Sequence, residues 1–164
     1  MMMDRSIEHI VCTVRGEPES LETVTRAINL ALEYKARITF VIIINTEFLA
    51  HATPTMTTLR IVHEQMEKMG EFSMLILRDR AERRGVSNVD HLVLLGDVAT
   101  ELRKLALETS ANMMVLGRPV PGRRTSVFKP AEFDRFVAEL EEDTNLAIVQ
   151  VDHSEAHQGA NGGN

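Results

Sequence analysis

A rhythm in the chain constrains the fold more than any other feature. Five short apolar runs alternate with four longer amphipathic stretches, beginning and ending on an apolar run. The runs lie at residues 7–14, 38–44, 89–95, 113–116 and 146–151, and each reads as a strand. Residues 38–44 are β-branched at nearly every position, the composition that fills a strand buried on both faces. Between the runs, residues 20–35 place Leu21, Val24, Ile28, Ala31 and Leu32 at helical spacing. Residues 57–84 read as one long helix with Leu59, Val62, Met66 and Met69 on its inward stripe. Gly70 predicts a kink in that helix, and Gly85 its stop. Asp97 is placed to cap a third helix that buries Val98, Leu102 and Leu105. Pro130 fits the first turn of a fourth, with Phe133, Phe136, Val137 and Leu140 on its apolar side.

Strands separated by helices pair in parallel, and the crossovers place helices on both faces. The expected fold is therefore α/β, a single doubly wound five-stranded parallel sheet in the order β-α-β-α-β-α-β-α-β. At 164 residues the chain is sized for one domain, expected over residues 1–152. Residues 153–164, rich in Gly, Asn, His and Ser, read as a disordered tail. In such sheets ligands bind beyond the carboxyl ends of the strands. That directs attention to residues 15–20, 45–54, 96–97 and 117–129.

Composition removes several classes of function. The net charge of −6 argues against bulk attraction to nucleic acid. Aromatics at 4%, with no Trp, leave little for stacking on single strands. No run reaches the roughly 18 apolar residues of a membrane span, and residues 1–5 lack the basic start and apolar stretch of a secretory signal. One cysteine rules out an internal disulfide and a Cys-based zinc cage. These features lead to a cytoplasmic protein without nucleic-acid or membrane partners. Cys12, mid-strand in an apolar run, reads as a buried inert thiol. His63-Glu64 opens like a zinc-protease helix, but Glu67 stands where the second His is needed, so no metal site is expected. Arg78, Arg80, Arg83 and Arg84 suit the negative end of a helix dipole.

Four segments, taken in order, resemble the universal stress protein family. They are Ile10-Val11-Cys12-Thr13-Val14-Arg15-Gly16; Ala27-Ile28-Asn29-Leu30-Ala31-Leu32 leading to Ala36-Arg37-Ile38-Thr39; Gly96-Asp97-Val98-Ala99-Thr100-Glu101-Leu102; and Ala111-Asn112-Met113-Met114-Val115-Leu116-Gly117. The resemblance covers nearly all of residues 7–151. It implies an adenine-nucleotide-alpha-hydrolase-like fold. It also implies a homodimer formed through the last strand, residues 145–151, where Leu146, Ala147, Ile148, Val149 and Val151 are apolar.

Family members that bind ATP carry Gly-x-x-Gly, nine residues, then Gly-Ser or Gly-Thr after the fourth strand. Glycines there let backbone N–H groups reach phosphates, and the hydroxyl adds a donor. This chain keeps Gly117, but Val120, Pro130 and Ala131 stand at the other motif positions, and Pro130 has no N–H to offer. On the first strand Arg15 replaces the acidic residue that binders place against the nucleotide, while Ile43 matches an adenine-side apolar position. The expectation is thus a dimeric binding or signalling module, not an enzyme, with no ATP held in the family's usual way.

One feature favours an alternative, a binder of ATP, AMP or a phosphate anion. From Ser110 to Ala131 there are four basic residues and no acidic one. Thr13, Arg15, Ile43, Leu116, Gly117, Arg118, Gly122, Arg123, Arg124, Thr125 and Ser126 are the candidate cofactor-binding residues in that reading. Arg can grip a phosphate with two parallel contacts. A third reading has Arg15, Arg118, Arg123 and Arg124 acting on a phosphorylated small molecule. Against it, the turn Arg15-Gly16-Glu17-Pro18-Glu19-Ser20 carries acidic residues and a proline where a phosphate cradle would need glycines.

Overall fold

The computed structural model describes residues 6–14, 20–47, 49, 55–120 and 128–152. In chain order the elements are β1 (His9–Val14), α1 (Ser20–Tyr34), β2 (Arg37–Asn45), α2 (Met56–Arg84), β3 (Val89–Gly96), α3 (Val98–Glu108), β4 (Met113–Gly117), α4 (Pro130–Asp143) and β5 (Ala147–Val151). The rhythm read from the sequence is realised, with ends displaced by a residue or two. The tail at residues 153–164 lies outside the described residues.

All four strand pairings are parallel, and the sheet runs β3-β2-β1-β4-β5. Alternation along each strand sorts the side chains into two cores. Ile10, Cys12 and Val14 of β1 join Ile38, Phe40 and Ile42 of β2 beneath α1 and α2. Val11, Val41, Ile43, Met114 and Leu116 face the other way, against α3 and α4. The second layer is closed by Phe133, Phe136, Val137 and Leu140, the stripe expected on α4. On α3 the buried set is Val98, Leu102 and Ala106, with Leu105 at its margin.

One expectation for the long helix is corrected. α2 is one continuous helix through Gly70. Gly70 is buried and lets α2 approach the sheet: a Cβ at this position would lie 2.8 Å from Cγ1 of Val93 and 3.2 Å from Cδ1 of Ile44. The inward stripe is corrected at Met69, while Leu59, Val62 and Met66 are half-buried. Gly70, Met74 and Ala81 are the buried residues of α2, while Met69 is 70% exposed. The sheet is shorter than the helix. At 29 residues α2 is about 43 Å long, and its amino-terminal half overhangs without a buried residue.

The arginines near the end of α2 each have a local partner. Arg83 bridges Asp79 at 2.9 Å, Arg80 donates to Thr25 Oγ1, Arg84 donates to Asn29 Oδ1, and Arg78 meets His91 Nδ1. They tie α2 to α1 and β3 in addition to favouring the helix dipole.

Two polar side chains have a buried atom without a hydrogen-bond partner: Thr23 in the first layer, and His9, whose strand position puts it on the face of Val11. Thr23 is buried, and its hydroxyl has no hydrogen-bond partner. Cys12 is fully buried beside it, and burial pushes its thiol well above the ordinary range, as expected for an inert thiol. His9 bonds Thr39 Oγ1 through Nε2 at 2.8 Å, while its Nδ1 is buried without a partner. Burial lowers the His9 pKa from the ordinary 6.5, and the positive charge of Arg37 lowers it further, against a smaller opposing pull from Asp90. The unfolded chain therefore binds a proton at His9 more readily than the native one. Stability is expected to fall as pH drops below about 6.5. His9→Gln should flatten that part of the profile, and urea titrations at pH 7.5 and 5.5 on both proteins check it; identical slopes would contradict the assignment.

Candidate functional site

Strand order reverses between β1 and β4, and the crevice beyond their carboxyl ends is where a fold of this topology takes a ligand. Cys12 pairs with Val115 at the last register step between them, so β1 and β4 end side by side. The segments leaving the sheet here are residues 15–19 and the run after Gly117.

Of the residues singled out in the sequence, Thr13, Ile43, Leu116, Gly117 and Arg118 are described. Alternation places Thr13 on the same face as Val11, which is the face of Ile43 and Leu116. Thr13 is half-buried, Ile43 buried, and Leu116 only 2% exposed. Leu116 thus belongs to the core beneath α4. Gly117 closes β4 opposite Val151 of β5. Arg15, Gly122, Arg123, Arg124, Thr125 and Ser126 lie outside the described residues.

Arg118 follows β4 directly, and its guanidinium is already occupied. Nη1 lies 3.1 Å from Asp134 Oδ1, Nε lies 3.2 Å from Asp152 Oδ1, and Nη1 also donates to Gln150 Oε1. The group sits 5.9 Å from the centroid of the Phe133 ring. Its backbone N–H donates to the carbonyl of Val151. Arg118 therefore joins the end of β4 to α4 and β5, with two carboxylates balancing its charge. These partners were not foreseen. The available signal was the pair of acidic residues near the start of α4, Glu132 and Asp134, directly after a basic loop.

The amino terminus of α4 is likewise committed. A helix start offers unbonded N–H groups to an anion. Here Pro130 at the first position removes one donor, and the Glu132 carboxylate accepts from the Lys129 N–H at 3.4 Å. The chain's own carboxylate thus stands where an external anion would bind. Beside it is a cleft of about 290 Å³ lined by Asp97, Ala99, Phe128, Glu132, Arg135, Phe136 and Glu139. Three carboxylates against one guanidinium make this an unfavourable place for phosphate.

The Gly96-Asp97 pair performs a local task. Gly96 adopts φ +148°, a conformation that residues with a side chain rarely take, and a Cβ there would meet Glu101 at 3.2 Å. Asp97 then caps α3, accepting from the Thr100 N–H at 3.0 Å and the Thr100 hydroxyl at 2.6 Å. Those hydrogen bonds hold its carboxyl below the usual range. Among the described residues no group of three or more His, Cys, Asp or Glu side chains is arranged to hold a metal, and no helix is long and apolar enough to cross a membrane.

Sheet order, crossovers and the crevice at the strand reversal define a parallel α/β fold of nucleotide-binding type. The family model for the universal stress protein family matches residues 6–127, and the chain belongs to that family. No curated protein matches it significantly in sequence. Among solved structures it is similar to the universal stress protein UspA from Lactobacillus plantarum, with a TM-score of 0.69 at 12% identity, covering 90% of this chain and 99% of that one. It is also similar to a universal stress protein crystallised with cAMP, with a TM-score of 0.57 at 18% identity, covering 91% of this chain and 99% of that one. A third is the universal stress protein from Archaeoglobus fulgidus in complex with dAMP, with a TM-score of 0.53 at 11% identity, covering 88% and 96%. At these identities the likeness establishes the fold.

Proposed function

We propose that this chain is a cytoplasmic, non-catalytic binding and signalling module that does not hold ATP in its family's usual way. The observation that carries this reading is the state of the β4–α4 junction. The glycine and hydroxyl positions of the binding motif are Val120, Pro130 and Ala131, the first arginine after β4 is held by Asp134 and Asp152, and Glu132 stands at the helix start. Each change removes a phosphate donor or places negative charge where phosphates would lie. The module works through contacts with other chains. β5 is an edge strand, and in this reading two copies pair along residues 145–151. The expected result is a dimer whose melting temperature does not move with millimolar ATP or AMP. A dose-dependent rise in melting temperature would overturn the reading.

A second reading is favoured by the two relatives crystallised with cAMP and dAMP. In it an adenine nucleotide lies over Thr13 and Ile43, with its phosphate held by Gly122, Arg123, Arg124, Thr125 and Ser126. It predicts a thermal shift that Arg123→Glu abolishes.

A further inference from the structure

Helix α2 presents a second apolar face to solvent. Ile61 is 50% exposed, Met69 70%, Phe72 68%, Leu75 53% and Ile76 55%. At 100° per residue these five fall within one arc of about 120°, opposite the buried Gly70, Met74 and Ala81. Single exposed apolar residues are ordinary on a protein surface, but five large ones within one arc of a single helix are not.

The same face carries a charge pattern that identifies its occupant. Glu64, Lys68, Phe72, Leu75, Asp79 and Arg83 lie along one row of the helix at spacings of four, four, three, four and four. The order of signs is acidic, basic, apolar, apolar, acidic, basic. Such a row is complementary to itself when reversed. A two-fold axis midway between Phe72 and Leu75 sets Phe72 against Leu75 of a second copy. It also sets Lys68 against Asp79 of that copy and Glu64 against its Arg83. In a parallel arrangement like charges would coincide. In one copy alone Asp79 and Arg83 bridge each other at the surface, with side chains 61% and 80% exposed, an arrangement of little energetic weight.

We propose that α2 is a self-association surface, on which a second copy of this chain docks its own α2 antiparallel about a two-fold axis between Phe72 and Leu75. Isologous contacts of this kind are the commonest way identical chains meet, and apolar rows flanked by opposite charges specify helix orientation. The inference does not depend on the nucleotide question. Nor does it depend on pairing through β5, which lies at the opposite edge of the sheet from β3, the strand that α2 covers.

Sedimentation equilibrium of the full chain tests it. Phe72→Glu is expected to weaken self-association by roughly tenfold or more, as loss of a central aromatic anchor does, leaving only the assembly that other contacts support. Phe72 is exposed, so circular dichroism should show the fold retained. Lys68→Glu should weaken association, and Lys68→Glu combined with Asp79→Lys should restore it, a rescue that the antiparallel register alone provides. Unchanged association in both Phe72→Glu and Leu75→Glu would overturn the proposal and leave the face to a different protein. Weakening in Phe72→Glu without rescue by the charge swap would overturn the antiparallel register.

Discussion

Phe133→Ala is expected to lower the unfolding free energy by about 3–5 kcal/mol, the range for emptying a buried aromatic site. Phe133 is 1% exposed on the inward stripe of α4. Its ring meets Phe128 edge-on at 5.9 Å, and Phe128 in turn lies 5.1 Å from Phe136. The three rings fill the layer between α4 and the sheet just behind the strand reversal. Emptying the Phe133 position removes apolar contact from Phe128 and the platform under the Arg118 guanidinium. Few neighbours can collapse into the gap, because Ile43, Met114 and Leu116 are fixed in the strands. Small domains are stable by about 5–15 kcal/mol, so the change would consume a large share of the total. Urea unfolding with an unchanged slope measures it. Leu107→Ala, at an exposed position on α3 away from the α2 face, should stay within about 0.5 kcal/mol of the parent. A loss below 1 kcal/mol for Phe133→Ala would show that the layer repacks freely.

Gly70→Leu should be the second most damaging change. A Cβ at Gly70 already comes within 2.8 Å of Val93 Cγ1 and 3.3 Å of its Cγ2. Val93 is β-branched and set in β3, so it has little rotamer freedom with which to yield. The longer side chain must lift α2 from the sheet, at a cost of about 1–3 kcal/mol or more for overpacking. Gly70→Ala separates the opposing effects. Alanine gains about 1 kcal/mol of helix propensity over glycine, offset by the clash with Val93, so its net change should lie near zero. If Gly70→Leu left stability unchanged, the close approach of α2 to β3 would be wrong.

How much of this was legible in the sequence differed by element. The sheet could be read because its strands are buried on both faces: the run at residues 38–44 has no other use for so many β-branched side chains. α4 could be read because Pro130 marks its start and Phe133, Phe136, Val137 and Leu140 keep one period. α2 could not be read in full. It is apolar on two faces, and periodicity cannot say which one meets the sheet. Met69 and Gly70 are neighbours in sequence, and the choice between them turned on the glycine's ability to fit against Val93. A residue read as a helix breaker is the contact point.

The candidate site was legible in position but not in chemistry. The segments beyond the carboxyl ends of the strands follow from the order of elements, and the lost motif positions from Val120, Pro130 and Ala131, whereas the reversal between β1 and β4 is seen only in the folded sheet. The engagement of Arg118 does not. Its partners Asp134, Gln150 and Asp152 lie 16 to 34 residues further along the chain, and only the folding of α4 and β5 beside β4 brings them to the guanidinium.

Native mass spectrometry of the purified chain tests the central claim most directly, because it reports bound small molecules without presuming which. The account predicts protein masses free of nucleotide, unchanged after incubation with ATP or AMP. A stoichiometric mass increment corresponding to an adenine nucleotide would contradict it.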